Sequence, residues 1–239
     1  MASATGSVER PCIAILGGTG SEGSALALRW ANAGYSIILG SRNAEKAAQV
    51  CARINQRLAT ARVSHAANRA AAQAGDIVVL SVPYAAQRST VEEVREALQG
   101  KILIDTTVPL MPPKVARVQL PEGGSAVAAI QRLLGDSVKV VSAFQNIPAH
   151  LLQDPAHTMD CDVLVCGDDV QARETVIALA ADMGLRALHA GPIVNSVAAE
   201  ALTSILISIN ARYKVDGAGI RITRLEHSKP GPDNPGIGR

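Results

Sequence analysis

The chain has few aromatic residues: one Trp, one Phe and three Tyr among 239. A protein that grips single-stranded nucleic acid by stacking needs more rings than that, and the core must come from Ala, Val, Ile and Leu. Charge of one sign is also lacking. Lys and Arg number 23 against 21 Asp and Glu, a net charge of +2, which excludes the broad basic field of a nucleic-acid binder. No window approaches the ~18 uninterrupted apolar residues of a membrane span, and the opening "MASATGSVERP" lacks the apolar stretch of a secretory signal. Neither a nucleic-acid nor a membrane partner is expected. Cysteines are scarce: Cys12, Cys51, Cys161 and Cys166 form no CxxC pair and no metal-ligand spacing. Cys12 and Cys166 sit in apolar runs and are expected to be buried thiols, in a cytoplasmic, disulfide-free protein.

A proton-relay set is missing as well. His65 and His189 fall in strand-like runs and read as structural, whereas His150 and His157 flank a loop and read as surface residues. No Tyr-x-x-x-Lys follows a suitable strand. No catalytic side chain and no metal ligand is assigned, and no acid is clearly placed in a cleft.

What is present is an alternation of short apolar runs and helix-like stretches. "CIAILG", "YSIILGSR", "ARVSHAAN", "AGDIVVLSVP", "GKILIDTTVP", "SVKVVSAFQNIP", "CDVLVCGDD" and "LRALHAGPI" read as strands. Helices are expected over Ser24 to Ala33, from a cap at Asn43 to about Leu58, and over Ser89 to Leu98, Ser125 to Leu134, Gln171 to Met183 and Ala198 to Arg212. Repeated β-α units of this kind predict an α/β fold, a Rossmann-like, doubly wound, mostly parallel sheet. The expected organisation is a disordered leader (1–10), a nucleotide-binding domain (11–193), a small helical C-terminal part (194–225) and a disordered, Pro- and Gly-rich tail (226–239).

Between the first strand and the first helix stands Gly18-Thr19-Gly20-Ser21-Glu22-Gly23, which fits the dinucleotide pattern G-x-G-x-x-G in its proper context. The first glycine would allow the tight turn, the second the approach of a pyrophosphate, the third close helix–strand packing. The helix N-terminus then offers free N–H groups and positive dipole to the phosphates. Glu22 is awkward beside a pyrophosphate, and its side chain is expected to face solvent or a second substrate. After the second strand, where an NAD-selective fold places an acid, this chain reads "GSRNAEK". Ser41, Arg42 and Lys46 suit a 2′-phosphate, so NADP is preferred to NAD.

From Ile13 to Thr223 the chain resembles the NADPH-dependent reductases of the deazaflavin coenzyme F420 (coenzyme F420:NADP oxidoreductases). The stretches that carry the likeness are "LGGTG", "LALR", "GSR" with Lys46, "SVP", "VVSAFQNIPA", "VCGDD", "AGPIVNS" and "GAGIRI". The resemblance implies a Rossmann domain with extra strands and a small helical C-terminal part, often dimeric. It implies reversible hydride transfer between NADP(H) and the deazaflavin C5, with NADP and coenzyme F420 as the two carriers. By motif, Gly18, Thr19, Gly20, Ser21 and Glu22 would hold the pyrophosphate and Ser41, Arg42 and Lys46 the 2′-phosphate. Val82, Pro83, Ala86 and Ala149 would line the nicotinamide end, and Gln145, Ile147, Asn195 and Ala218 would meet the deazaflavin. The helix Ala198 to Arg212 is the implied homodimer contact. The chain departs from the family pattern at Ser21-Glu22, where Asn-Leu is usual, at Tyr84 for a tryptophan, and at Gln145 for a histidine. A reductase of another small acceptor, or an NADPH-binding protein without turnover, are the alternatives.

Overall fold

The computed structural model describes residues 10–225, so most of the expected leader and all of the tail 226–239 lie outside the described residues. The apolar runs form β1 (Ile13–Leu16), β2 (Ile37–Gly40), β3 (Val63–Ala66), β4 (Ile77–Leu80), β5 (Ile102–Asp105), β6 (Lys139–Ser142), β7 (Asp162–Gly167) and β8 (Arg186–His189). They make one sheet in the order β3-β2-β1-β4-β5-β6-β7-β8. The pairings from β3 through β6 are parallel, with Ile13 level with both Ile37 and Ile77. This is the doubly wound order, whose direction of progression reverses between β1 and β4.

The apolar runs do not alternate because both sheet faces are covered. Ile13 and Ile15 face a layer formed by α1 (Ser21–Asn32), α2 (Ala44–Asn55) and α7 (Val170–Asp182), through Leu26, Trp30, Val50 and Val176. Ala14 and Leu16 face α3 (Asn68–Ala74), α4 (Tyr84–Val94) and α5 (Ala126–Leu134), through Ala71, Val91, Val94, Val127 and Ile130. Each such Leu or Ile contributes about 1.5–3 kcal/mol by leaving water. Two of the few aromatics meet in this core: Trp30 and Phe144 pack edge to face, centroids 5.8 Å apart, a geometry worth about 0.5–1.5 kcal/mol beyond area. The Trp30 indole N–H donates to the Leu179 carbonyl at 3.0 Å.

The helices between parallel strands bring the chain back, so the turn Gly135–Val138 before β6 lies at the opposite end of the sheet from the β1–α1 turn. After β6 the pattern changes. The chain stays at the carboxyl edge, makes only the one-turn α6 (Ala149–Leu152), and descends as β7, antiparallel to β6. β8 is parallel to β7. The last helix, α8 (Ser196–Tyr213), packs on α5.

The segment around α6 is tied down by one side chain. Arg29, on α1 and 3% exposed, donates to five carbonyls: Leu152 at 3.1 Å, Leu151 at 3.3 Å, Asp154 at 2.7 Å, His157 at 2.9 Å and, from the α7–β8 turn, Met183 at 3.1 Å. Five donors in a fixed fork suit arginine alone. The same segment returns to the β1–α1 turn, since the Gln153 amide donates to the Ser21 carbonyl at 3.0 Å.

Several elements differ from expectation. α1 starts at Ser21, three residues early, because it springs directly from the glycine turn. α4 starts at Tyr84 and tightens into a 3₁₀ turn over Arg95–Leu98. The short α3 follows the expected third strand, shares only Asn68 with it and had no counterpart among the expected helices. His65 and His189 lie on strands but are exposed, and Cys12 is only half-buried, since it precedes β1. All four cysteines are free. The predicted cap holds: the Asn43 side chain accepts from the Lys46 N–H at 2.8 Å.

Candidate nucleotide site at the carboxyl edge of the sheet

At the end of β1 the chain turns through Gly17, Gly18 and Gly20. The left-handed residue is Gly17, with φ +79°; a Cβ there would strike the Ser81 carbonyl oxygen. The tight-turn role assigned to Gly18 therefore belongs to Gly17, which the G-x-G-x-x-G pattern does not include. Gly18 and Gly23 meet the other demands. A Cβ on Gly18 would lie 2.8 Å from Leu39, and one on Gly23 2.8 Å from the Gly17 carbonyl oxygen. Gly20 is exposed and caps α1 with no side-chain hydrogen bond. The N–H groups of Ser21, Glu22 and Gly23 have no carbonyl one turn earlier within α1. A cradle in which side chains are excluded and amides are left over fits a pyrophosphate.

One strand over, at the end of β2, Ser41 is half-buried, and Arg42 and Lys46 are exposed. The Ser41 hydroxyl accepts from the Asn43 N–H at 3.1 Å, which fixes the turn that presents Arg42. No carboxylate stands at this strand end before Glu45. On the other side of β1, the β4–α4 connection supplies Ser81, Val82, Pro83 and Ala86, all at least partly accessible. The turn thus has a cationic flank over β2 and a largely apolar flank over β4.

Next to that apolar flank stand two acids, Glu22, which the sequence reading gave to the pyrophosphate, and Asp105, which it did not assign. Glu22 is half-buried. Its carboxyl lies near Ser81, Asp105 and Thr106. Loss of water, with the Asp105 charge adding to it, pushes the Glu22 carboxyl up to about 8. Asp105, at the end of β5, is fully buried. It accepts from the Gln87 side-chain amide at 2.7 Å and the Thr107 N–H at 2.9 Å, and burial raises it to about 6 against those donors. A third carboxylate, Glu200 on α8, is buried at the start of α5. It accepts from the Ser125 hydroxyl (2.6 Å) and the Ala126 and Val127 amides (2.8 and 3.2 Å). It adds to the cap of α5, whose N-cap Ser125 accepts from the Ala128 N–H at 2.9 Å, and ties α8 to the start of that helix.

The residues expected around a second ring are not brought together as a set. Gln145 and Ile147 follow β6 and are buried, at 4% and 6% exposure, because Phe144 and the α6 segment close over them. The Gln145 amide N–H donates to the Asp105 carbonyl at 2.8 Å, and its own carbonyl accepts from Thr203 of α8 at 2.8 Å. They form the floor beneath the edge. Asn195 is elsewhere. It donates to the Ala190 carbonyl at 2.8 Å beyond the far end of β8, eight residues or about 12 Å of helix from Thr203. Ala218 is half-buried beside α6, its N–H bonded to Asn210 at 2.8 Å, and Ala149 opens α6 half-buried. At this edge the buried Ser142 Oγ, Gln145 Oε1 and Asn146 Oδ1 have no hydrogen-bond partner among the described residues, and such atoms call for a polar ligand or water.

A family profile described as NADP oxidoreductase, coenzyme F420-dependent, matches residues 12–109. The F420-dependent NADP reductase of Methanocaldococcus jannaschii is 44% identical over 222 residues, 90% of this chain and 99% of that protein. That of Methanothermobacter thermautotrophicus is 40% identical over 220 residues, 89% of this chain and 95% of that protein. Among solved structures, one from Arthrobacter sp. FB24, described as a candidate F420-dependent NADP reductase, aligns with a TM-score of 0.76 at 26% identity. It covers 89% of this chain and 99% of its own.

Proposed function

The chain belongs to the family of F420-dependent NADP reductases, and on that basis we propose that it is an oxidoreductase moving hydride reversibly between NADP(H) and coenzyme F420. The observation that carries the nucleotide half is the turn at Gly17–Gly20 with cations, and no acid, at the neighbouring strand end. In this reading the amides of Thr19, Ser21, Glu22 and Gly23 hold the pyrophosphate, and Ser41, Arg42 and Lys46 hold the 2′-phosphate. Val82, Pro83, Ala86 and Ala149 line the nicotinamide end. Gln145 and Ile147 shape the floor under the deazaflavin and Ala218 flanks it. The nucleotide-binding part spans 11–193 and the helical part 194–225. Hydride exchange between two rings asks little of side chains beyond alignment and exclusion of water, which suits an edge walled by aliphatic residues.

The test is optical. Purified protein given NADPH and oxidised F420 bleaches the deazaflavin absorbance in step with NADPH oxidation, and NADP with reduced F420 restores it. NADPH binding without bleaching would sink the proposal. The buried Asp105, with the half-buried Glu22 beside it, favours as a second reading an acceptor that must be protonated, such as an imine or ketone. NADPH loss with such acceptors, and none with F420, would select it.

The cellular state follows the same logic. Four free cysteines suit a reducing cytoplasm. Within Ile193–Tyr213 an 18-residue window reaches a mean hydropathy of 1.4, and the stretch is by length and composition sufficient for a membrane span. Glu200, Thr203 and Asn210 on α8, however, bond into the fold. Ile205 remains 47% exposed and Tyr213 73%. A second copy of the chain covers this face in our reading, as a homodimer. Sedimentation should return twice the chain mass at micromolar concentration, and Ile205→Asp should return one chain mass with the fold intact. A wild-type monomer would contradict it.

A further inference from the structure

We infer that Asp105 is a positioning residue for hydride transfer: it ties the wall of the nicotinamide to the floor of the deazaflavin and so sets the gap between the two rings. The inference rests on the NADP and F420 reading above.

The two surfaces do not come from neighbouring strands. The nicotinamide wall of Val82, Pro83 and Ala86 springs from the end of β4, and the deazaflavin floor of Gln145 and Ile147 from the end of β6. β5 lies between them. Asp105 is its last residue, level with Leu80 of β4 on one side and Ser142 of β6 on the other, and the regular pairing of the three strands stops at that rung. Whatever holds wall and floor at a fixed spacing must therefore cross the end of β5.

Asp105 makes that crossing. One carboxylate oxygen accepts from the side-chain amide of Gln87 at 2.7 Å. Gln87 directly follows Ala86 on α4 and is turned into the protein, at 3% exposure. The other oxygen accepts from the Thr107 N–H at 2.9 Å, which fixes the orientation of the carboxylate. The main-chain carbonyl of the same residue accepts from the Gln145 side-chain amide at 2.8 Å. The link Gln87–Asp105–Gln145 thus spans three strand ends, and all three residues are buried. Such bonds hold their geometry firmly, because water is not at hand to replace either partner.

Hydride passes when the reacting carbons are held at about 3–3.5 Å, and a misplacement of ~1 Å can cost on the order of 10²-fold in rate. Aliphatic walls shape a ring site but do not fix their own spacing. With the link cut, each carrier still has its own surface, and the gap between them is lost. Affinity belongs to the separate surfaces and to the phosphate turn, whereas rate belongs to the gap. The signature of this role is a loss of rate without a loss of affinity.

The experiment is single-turnover stopped flow on the full chain with saturating NADPH and oxidised F420, beside equilibrium binding of each carrier alone. Asp105→Leu, similar in size but unable to accept, should slow transfer on the order of 10²-fold. Its Kd for either carrier should change by less than about threefold. Gln87→Leu cuts the same link from the other end and should give a like loss, and the double variant should lose little more. Asp105→Asn should recover most of the rate: Gln87 can turn its amide over to accept from the introduced amide, and the bond from Thr107 remains. An undiminished rate in Asp105→Leu or in Gln87→Leu overturns the inference. So does affinity that falls in step with rate, which marks a general disturbance of the fold. Asp105→Asn as slow as Asp105→Leu also overturns it, since the carboxyl's charge or proton would then be what matters. Should Asp105→Leu not fold, Gln87→Leu and Asp105→Asn decide by the same criteria. A native protein that binds NADPH and passes no hydride to F420 would overturn the reading of function itself, a result distinct from native transfer with indifferent variants.

Discussion

Arg29→Leu is expected to destabilise the protein by on the order of 3–5 kcal/mol. The guanidinium serves five carbonyls from two segments, and charge-assisted bonds of this type are worth about 1.5–3 kcal/mol each when made, with a further cost for buried acceptors left bare. The sum is not additive, because several of the carbonyls can turn to water once the segment lifts. For a chain of this length the loss corresponds to a fall in Tm of roughly 10 °C. Arg29→Lys should recover less than half, since an ammonium is a single point and cannot span two segments. The segment from Pro148 to His157 should then gain hydrogen exchange well before the sheet does. Its link from Gln153 to the Ser21 carbonyl means that nucleotide affinity should fall with it. An unchanged melting curve for Arg29→Leu would refute this account.

Arg42→Ala should lower kcat/KM for NADPH by about 10- to 150-fold, the equivalent of one or two charge-assisted hydrogen bonds to a phosphate. The value for NADH should change by less than about threefold, because NADH lacks the 2′-phosphate that Arg42 meets. Arg42 is exposed, so the melting temperature should hold. Lys46→Ala should act in the same direction more weakly, and Arg42→Lys should keep part of the selectivity as a point charge without the fork. Steady-state kinetics with both nucleotides decides the matter: equal losses for NADPH and NADH would remove Arg42 from the 2′-phosphate site.

Much of this architecture was readable from local pattern. Strand-length apolar runs bounded by Gly and Pro gave β1, β2, β4 and β5, and Asn43 marked the start of α2, because both signals act within a few residues. The cradle was readable by context, although its turning glycine was assigned one residue late: the pattern names spacing, whereas φ +79° at Gly17 depends on how close β4 passes. Reversal at β7 was hidden, since it depends on where the nineteen-residue connection 143–161 lies. The acids were visible yet mute. Asp105 closes the run "ILID", and Glu200 interrupts the apolar helix "SVAAEALTSILI"; a lone carboxylate in such company signals a buried partner. The partners themselves, Gln87 for one and the start of α5 for the other, come from contacts 18 and 74 residues away in the chain. Glu22 drew notice as an acid beside phosphates, but which way it pointed was set by the turn, and no spacing rule reports that.

The common direction of the first six strands gives the molecule a front and a back. All the chemistry argued above gathers where those strands end, while the turns at Gly100 and Gly135 lie where they begin, and a Cβ added to either glycine would meet nothing within 4 Å. Ser137, exposed in the second of these turns, engages the fold through its carbonyl, which accepts from Gly100. A surface tether, an electrode linker or a fluorescent reporter attached through that side chain would hold the protein by its back and leave both carriers free to arrive at the front.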